Sequence, residues 1–216
     1  MRHLSKYETY IFDCDGVLLD SNLLKIDAMG RALKHAGVDH STTKLCLQYF
    51  ASNFGKSRYH HVEYFCENIL GKYDCTDEFK KIILTHFNDE CDTLYFKADK
   101  TAFVDDALHV LKGDRYVASG SEQSQLRRVL LDKFPADMFI GVYGSPTSKL
   151  QIVEGILDGP ATRVDSVLVG DSLADLDVAV AVGIDFVGYL PYSNTPDLLK
   201  TECVRRDFPV LDSWSI

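Results

Sequence analysis

Five short apolar runs constrain this chain more than any other feature. Thr9–Asp13, Arg115–Ser119, Phe139–Tyr143, Ser166–Asp171 and Ile184–Tyr189 are rich in β-branched and aromatic residues and give way to polar residues or glycine. Continuous runs of this length read as strands buried on both faces. Helical spacing fills the intervals between the later ones, over Ala102–Lys112, Ser121–Phe134, Ser148–Leu157 and Ser172–Val182. Alternation of this kind predicts a parallel sheet with helices on both sides. Such sheets bind ligands at the carboxyl ends of their strands, so functional residues are expected just after each run.

Segment 20–100 reads differently. Helical patterns cover Ser21–His35, Thr43–Phe50, Ser57–Leu70 and Thr76–Leu94, with Gly37, Gly55 and Gly71 between them. No strand is predicted here. The expected organisation is an α/β core from 1–19 and 101–216, interrupted by a helical insertion at 20–100.

Charge and composition narrow the function classes. The 216 residues are 46% hydrophobic, enough for a sizeable core. Lys and Arg number 23 against 32 Asp and Glu, a net charge of −9, which argues against a nucleic-acid or membrane-surface partner. The longest apolar stretch, Val164 to Leu190, is broken by Asp165, Asp171, Asp175, Asp177 and Asp185, so no membrane span is expected. Six cysteines without a C-x-x-C pair read as reduced, mostly buried thiols rather than a zinc site or disulfide framework. A soluble cytoplasmic protein is the expectation.

The residues at the run ends carry chemistry. The first run closes on Asp13-Cys14-Asp15-Gly16. Two carboxylates two residues apart share a side on extended chain; their repulsion is offset by a hard divalent cation, although an ordinary strand-to-turn pair looks the same. Ser119-Gly120-Ser121 closes the second run and can offer a hydroxyl and backbone N–H donors to an anion, or serve as a simple turn. Ser148-Lys149 opens the helix after the third run. The fourth run ends in Gly170-Asp171-Ser172-Leu173-Ala174-Asp175, where Ser172 and Asp175 have capping-box spacing.

Taken in order, D-x-D-G, S-G, K and G-D-S-x-x-D resemble the four signature motifs of the haloacid dehalogenase superfamily. The likeness is to its phosphatase and phosphomutase branch, represented by phosphoglycolate phosphatase-like and β-phosphoglucomutase-like members. The resemblance implies a Rossmann-like three-layer α/β/α core with a central parallel sheet and an inserted helical cap. It implies an aspartyl-phosphate on Asp13, with Asp15 as general acid and base. Mg²⁺ would be held by Asp13, the Asp15 carbonyl and Asp171. Ser119, Gly120 and Lys149 would stabilise phosphoryl charge, supported by Ser121, Ser172 and Asp175. The acid at Asp15 separates the chain from the superfamily's dehalogenases, because halide needs no proton donor.

The implied activity is hydrolysis of a small phosphorylated metabolite such as a sugar phosphate. Ser-Gly-Ser is also similar to sugar-phosphate members, so a phosphomutase stays open, as does a non-catalytic binding protein on the same scaffold. Gly55-Lys56-Ser57 is no P-loop: Phe50 stands where that loop needs glycine, and a helical segment precedes it. Gly55, Lys56 and Arg58 are instead candidates to bind the substrate's non-reacting part. The histidines read as surface or packing residues.

Overall fold

The protein is described by a computed structural model covering residues 4–158 and 163–215. Its first strand, β1 (Thr9–Phe12), turns Tyr10 and Phe12 toward one apolar core and Ile11 toward another. The same division recurs in β4 (Asp114–Glu122), with Val117 opposed to Tyr116 and Ala118. In β6 (Ser166–Gly170), Val167 and Val169 oppose Leu168. Apolar side chains on both faces are why these strands read as unbroken runs.

With β5 (Gly141–Ser145), β7 (Asp185–Tyr189) and β8 (Val210–Leu211) they form a parallel sheet in the order β5-β4-β1-β6-β7-β8. Helices α5 (Val104–Val110) and α6 (Gln123–Lys133) pack on the first face. Helices α7 (Lys149–Leu157), α8 (Leu173–Val182) and α9 (Pro196–Arg205) pack on the second. This is the predicted three-layer α/β/α arrangement. The chain leaves β1 for β4 on one side and later returns to β6 on the other, so β1 and β6 flank the point where ligands bind in such sheets.

Between β1 and α5 stand four helices: α1 (Asn22–His35), α2 (His40–Ser52), α3 (Arg58–Asn68) and α4 (Asp77–Leu94). They share a separate apolar cluster that includes Met29, Leu33, Phe50, Phe65, Ile83 and Phe87. Two short strands absent from the sequence reading, β2 (Leu19–Asp20) and β3 (Asp99–Lys100), pair antiparallel where the chain departs and returns. Buried Trp214 stacks on Tyr189 and donates to Val17 O and Thr101 Oγ1, each at 3.2 Å, tying these connections to the sheet.

The strand expected at Phe139–Tyr143 lies two residues later. β5 is an edge strand with Tyr143 partly exposed, and Phe139 packs against Phe134 before the strand begins. β4 continues past Ser119 to Glu122, whose side chain accepts from the Ser124 and Gln125 N–H groups; Glu122 therefore caps α6 where a helix start at Ser121 was expected. α9 and β8 were not predicted. The six thiols are free, with Cys66 and Cys75 only half-buried. No helix among the described residues is long and apolar enough to cross a membrane.

Candidate active site

Parallel pairing brings the first and fourth run ends together. Phe12 and Val169 are partners across β1 and β6, and the Asp13 N–H donates to Val169 O at 2.9 Å. One residue past Phe12 and two past Val169, the chain delivers Asp13 and Asp171 to neighbouring positions. One carboxylate oxygen from each of Asp13, Asp171 and Asp175 lies within 4.8 Å of the others, and all three residues are buried. Gly16 makes this approach possible: its φ is +76°, and a Cβ there would come within 2.2 Å of Asp171 Oδ2.

Three buried acids at this spacing are electrostatically unfavourable by themselves. Burial pushes the Asp13 carboxyl up to about 7, with further upward pressure from Asp175 and Asp15 and an opposing pull from Lys149. Burial also holds Asp171 well above the carboxylate range, with Asp13 and Asp175 adding to it. Lys149 supplies part of the compensation. Its Nζ lies 2.9 Å from Asp13 Oδ1 and donates to Asp175 Oδ1. Burial disfavours the ammonium, yet the two carboxylates outweigh it and hold Lys149 above its ordinary range.

Asp175 has two roles in one geometry. Its Oδ2 accepts from the Ser172 N–H and hydroxyl, while Ser172 Oγ accepts from the Asp175 N–H, completing the capping box on α8. Its other oxygen meets Lys149. Asp171 receives Asn22 Nδ2 on Oδ2 at 2.7 Å, whereas its Oδ1 is buried without a hydrogen-bond partner. Such an orphan, within a cluster of hard oxygen donors, fits a divalent cation.

Asp15 belongs to a second network. Ser21 donates to its Oδ1 at 2.5 Å, and Lys25 Nζ and Ser121 Oγ donate to its Oδ2 at 2.5 and 2.7 Å. Burial opposes ionisation of Asp15, but Lys25 and these hydrogen bonds prevail and keep the carboxyl below its usual range. Lys25 is itself buried on α1, 4.3 Å from the centre of the Tyr95 ring. Ser119 lies fully buried nearby, its Oγ accepting from the Ser121 N–H at 3.1 Å.

Helices α1–α4 close over this floor. The cleft between them has a volume of about 30 Å³ and is lined by Asp13, Asp15, Gly120 and Ser121 below and by Phe50, Arg58, His61 and Phe87 above. That is room for a water or two. Backbone meets backbone at the seam, where a Cβ on Gly120 would lie 2.7 Å from Gly55 O and 2.8 Å from Lys56 O. Gly120→Ala is therefore expected to displace the 55–56 loop and weaken ligand binding in the cleft about tenfold, equivalent to roughly 1.4 kcal/mol. An unchanged dissociation constant for inorganic phosphate in calorimetric titration would show that this seam does not govern binding.

No protein-family model and no curated protein matches the sequence, but solved structures do. A hydrolase of Streptococcus pneumoniae, a haloacid dehalogenase-like family protein, superposes with a TM-score of 0.72 at 18% identity, over 95% of this chain and 94% of that one. A predicted phosphatase from Clostridium acetobutylicum gives 0.75 at 16% identity, over 95% and 94%. A predicted phosphoglycolate phosphatase from Haemophilus somnus gives 0.73 at 15% identity, over 98% and 96%. The chain has the haloacid dehalogenase fold.

On this fold the predicted residues divide into two sets. Asp13, Asp171, Asp175, Ser172 and Lys149 form one contiguous cluster, and Asp15 and Ser121 adjoin it through the cavity. Of the insertion residues, Gly55 and Lys56 contribute backbone at the seam, but the Lys56 ammonium is exposed and donates to Asn53 Oδ1 at 3.1 Å. Arg58 is buried in the cavity wall. The sequence reading did not single out Asn22 or Lys25, whereas His61, read as a surface or packing residue, is buried in the cavity wall. Asn22, Lys25 and Met29 share one buried face of α1, and polar residues on such a face were the available signal.

Proposed function

We propose that the protein is a divalent-cation-dependent phosphoric monoester hydrolase of the cytoplasm, acting on a small phosphorylated metabolite through an aspartyl-phosphate. The observation that carries this reading is the meeting of Asp13, Asp171 and Asp175 with Lys149 at the strand ends. The phosphatase names of similarly folded structures support it. In this reading residues 20–100 form the cap and 1–19 with 101–216 form the core.

Asp13, the Asp15 carbonyl and Asp171 would hold Mg²⁺, and the orphaned Asp171 Oδ1 supports that assignment. Bound there, the ion would offset the repulsion between the Asp13 carboxylate and an anionic phosphate. A carboxylate oxygen of Asp13 attacks phosphorus as the ester P–O bond breaks; Asp15, held ionised by Lys25 in the free protein, would take up a proton as substrate binds and pass it to the departing oxygen. Water then attacks the aspartyl-phosphate, yielding its proton to Asp15 and releasing phosphate and free Asp13. Lys149, Ser119 and the Gly120 N–H bear on the phosphoryl oxygens, while Asp175 holds Lys149 in place. The cap excludes bulk water during these steps and lifts to exchange ligands.

The test is phosphate release from a panel of phosphorylated metabolites, with and without Mg²⁺. Release that depends on the metal is expected from at least one small ester. No release from any of them would overturn the reading, and isomerised sugar phosphate in place of free phosphate would make the protein a phosphomutase.

A further inference from the structure

Asn22 is the first residue of α1 and is only 3% exposed. Its Nδ2 donates to Asp171 Oδ2 at 2.7 Å and to Tyr192 O at 2.8 Å. Both amide hydrogens are therefore in use, and a flipped amide would set its oxygen against two acceptors. That fixes the place of Asn22 Oδ1, which is buried with no hydrogen-bond partner. Asp171 Oδ1, on the other side of the same hydrogen bond, is in the same condition.

An orphaned buried acceptor is costly, and two of them on one hydrogen-bonded pair point to a common ligand. A hydrated divalent cation answers both: it takes Asp171 Oδ1 as a ligand, and a water it carries donates to Asn22 Oδ1. Holding Asp171 by its other oxygen, Asn22 orients the carboxylate that meets the ion.

The position of Asn22 in the chain adds a second consequence. The loop after β7 that it reaches also grips Asp171, through Ser193 Oγ on Asp171 O at 2.6 Å. Tyr192 holds both ends of the insertion: its carbonyl accepts from Asn22, and its phenol oxygen accepts from the Ala102 N–H at 3.2 Å, just past the return. Helix α1 in turn buries Met29 and Leu33 in the insertion's own apolar cluster. An insertion that lifts as a body takes α1 with it, and Asn22 cannot follow without releasing Asp171.

Resting on the cation site of the reading above, we propose that Asn22 is a positioning residue that couples the cation to the seating of α1. The ion binds tightly only while α1 is down, and by reciprocity the bound ion holds α1 down.

Calorimetric titration of Mg²⁺ and hydrogen exchange of the α1 amides test the coupling. Asn22→Leu keeps the forked shape of the side chain but has no donor or acceptor, and its Kd for Mg²⁺ should rise by about tenfold or more. Saturating Mg²⁺ should slow exchange in α1 of the native protein by about tenfold relative to α9, and the variant should lose that slowing. A merely structural Asn22 would speed exchange equally with and without Mg²⁺ and leave the Kd unchanged. That result overturns the proposal, while phosphate release that still depends on Mg²⁺ keeps the phosphatase reading standing. If the variant does not fold, the native protein decides alone: slowing of α1 by Mg²⁺ sustains the coupling, and exchange that ignores the ion overturns it. Failure of the native protein to bind Mg²⁺ at all would sink the coupling and the cation-dependent reading together.

Discussion

Asp13→Asn should abolish phosphate release while leaving the fold intact. On the proposed route the variant loses the attacking group, and removal of a nucleophile commonly costs on the order of 10⁴-fold or more in turnover. The structural consequences are small by comparison. An asparagine oxygen can still accept the Cys14 N–H that now reaches Asp13 Oδ1 at 2.8 Å, and Lys149 keeps Asp175 as a partner. The substitution also removes one of three crowded buried acids, so the melting temperature without metal should hold or rise. Activity is read by phosphate release and the fold by circular dichroism. Turnover within tenfold of the native protein would remove Asp13 from the nucleophile's place.

Without a divalent cation, the protein should lose stability as pH rises from 6.5 to 8. Asp13 and Asp171 have higher folded than unfolded pKa values, so their contribution is complete below about pH 3.8 and declines as pH climbs through the folded values, about 7 for Asp13. Asp15, shifted down, loses its contribution only under acid conditions, and Lys149, shifted up, keeps its own into the alkaline range. His61 works in the opposite sense, but only below its unfolded value of 6.5, which places the test window above it. Mg²⁺ at about 100 times its Kd should add roughly 2.7 kcal/mol, or roughly 5–10 °C in Tm for a chain of this size. The gain should be larger at pH 8 than at pH 5. Calorimetric melts with chelator or Mg²⁺ check this, and a Tm indifferent to the metal at pH 8 would count against a cation among these acids.

Much of the acidic floor was legible because doubly buried strands write themselves as apolar runs, and the first polar residue after such a run lies near its carboxyl end. That logic located Asp13 and Asp171, while at Ser119 the strand runs on three residues to Glu122. It slipped at β5, where partial exposure of Tyr143 weakens the pattern. It could not find β2, β3 and β8, each two residues long. The roof was harder to read. Lys25 and Asn22 look like members of an ordinary helix until α1 comes down on β1 and β6. The partners of Arg58 come from residues 30 and 67 positions away, a distance that no local pattern spans.

The paired ribbon at Leu19–Asp20 and Asp99–Lys100 also bears on how such a protein can change. The polypeptide exits and re-enters the sheet through two adjacent doors, with Thr101 N–H bonded to Leu18 O at 3.0 Å and Trp214 bolting both to the body. The four helices between those doors have an apolar cluster of their own. A different set of helices could be grafted onto the same pair of hinges, altering which molecules reach the acids while the sheet that aligns them stays as it is.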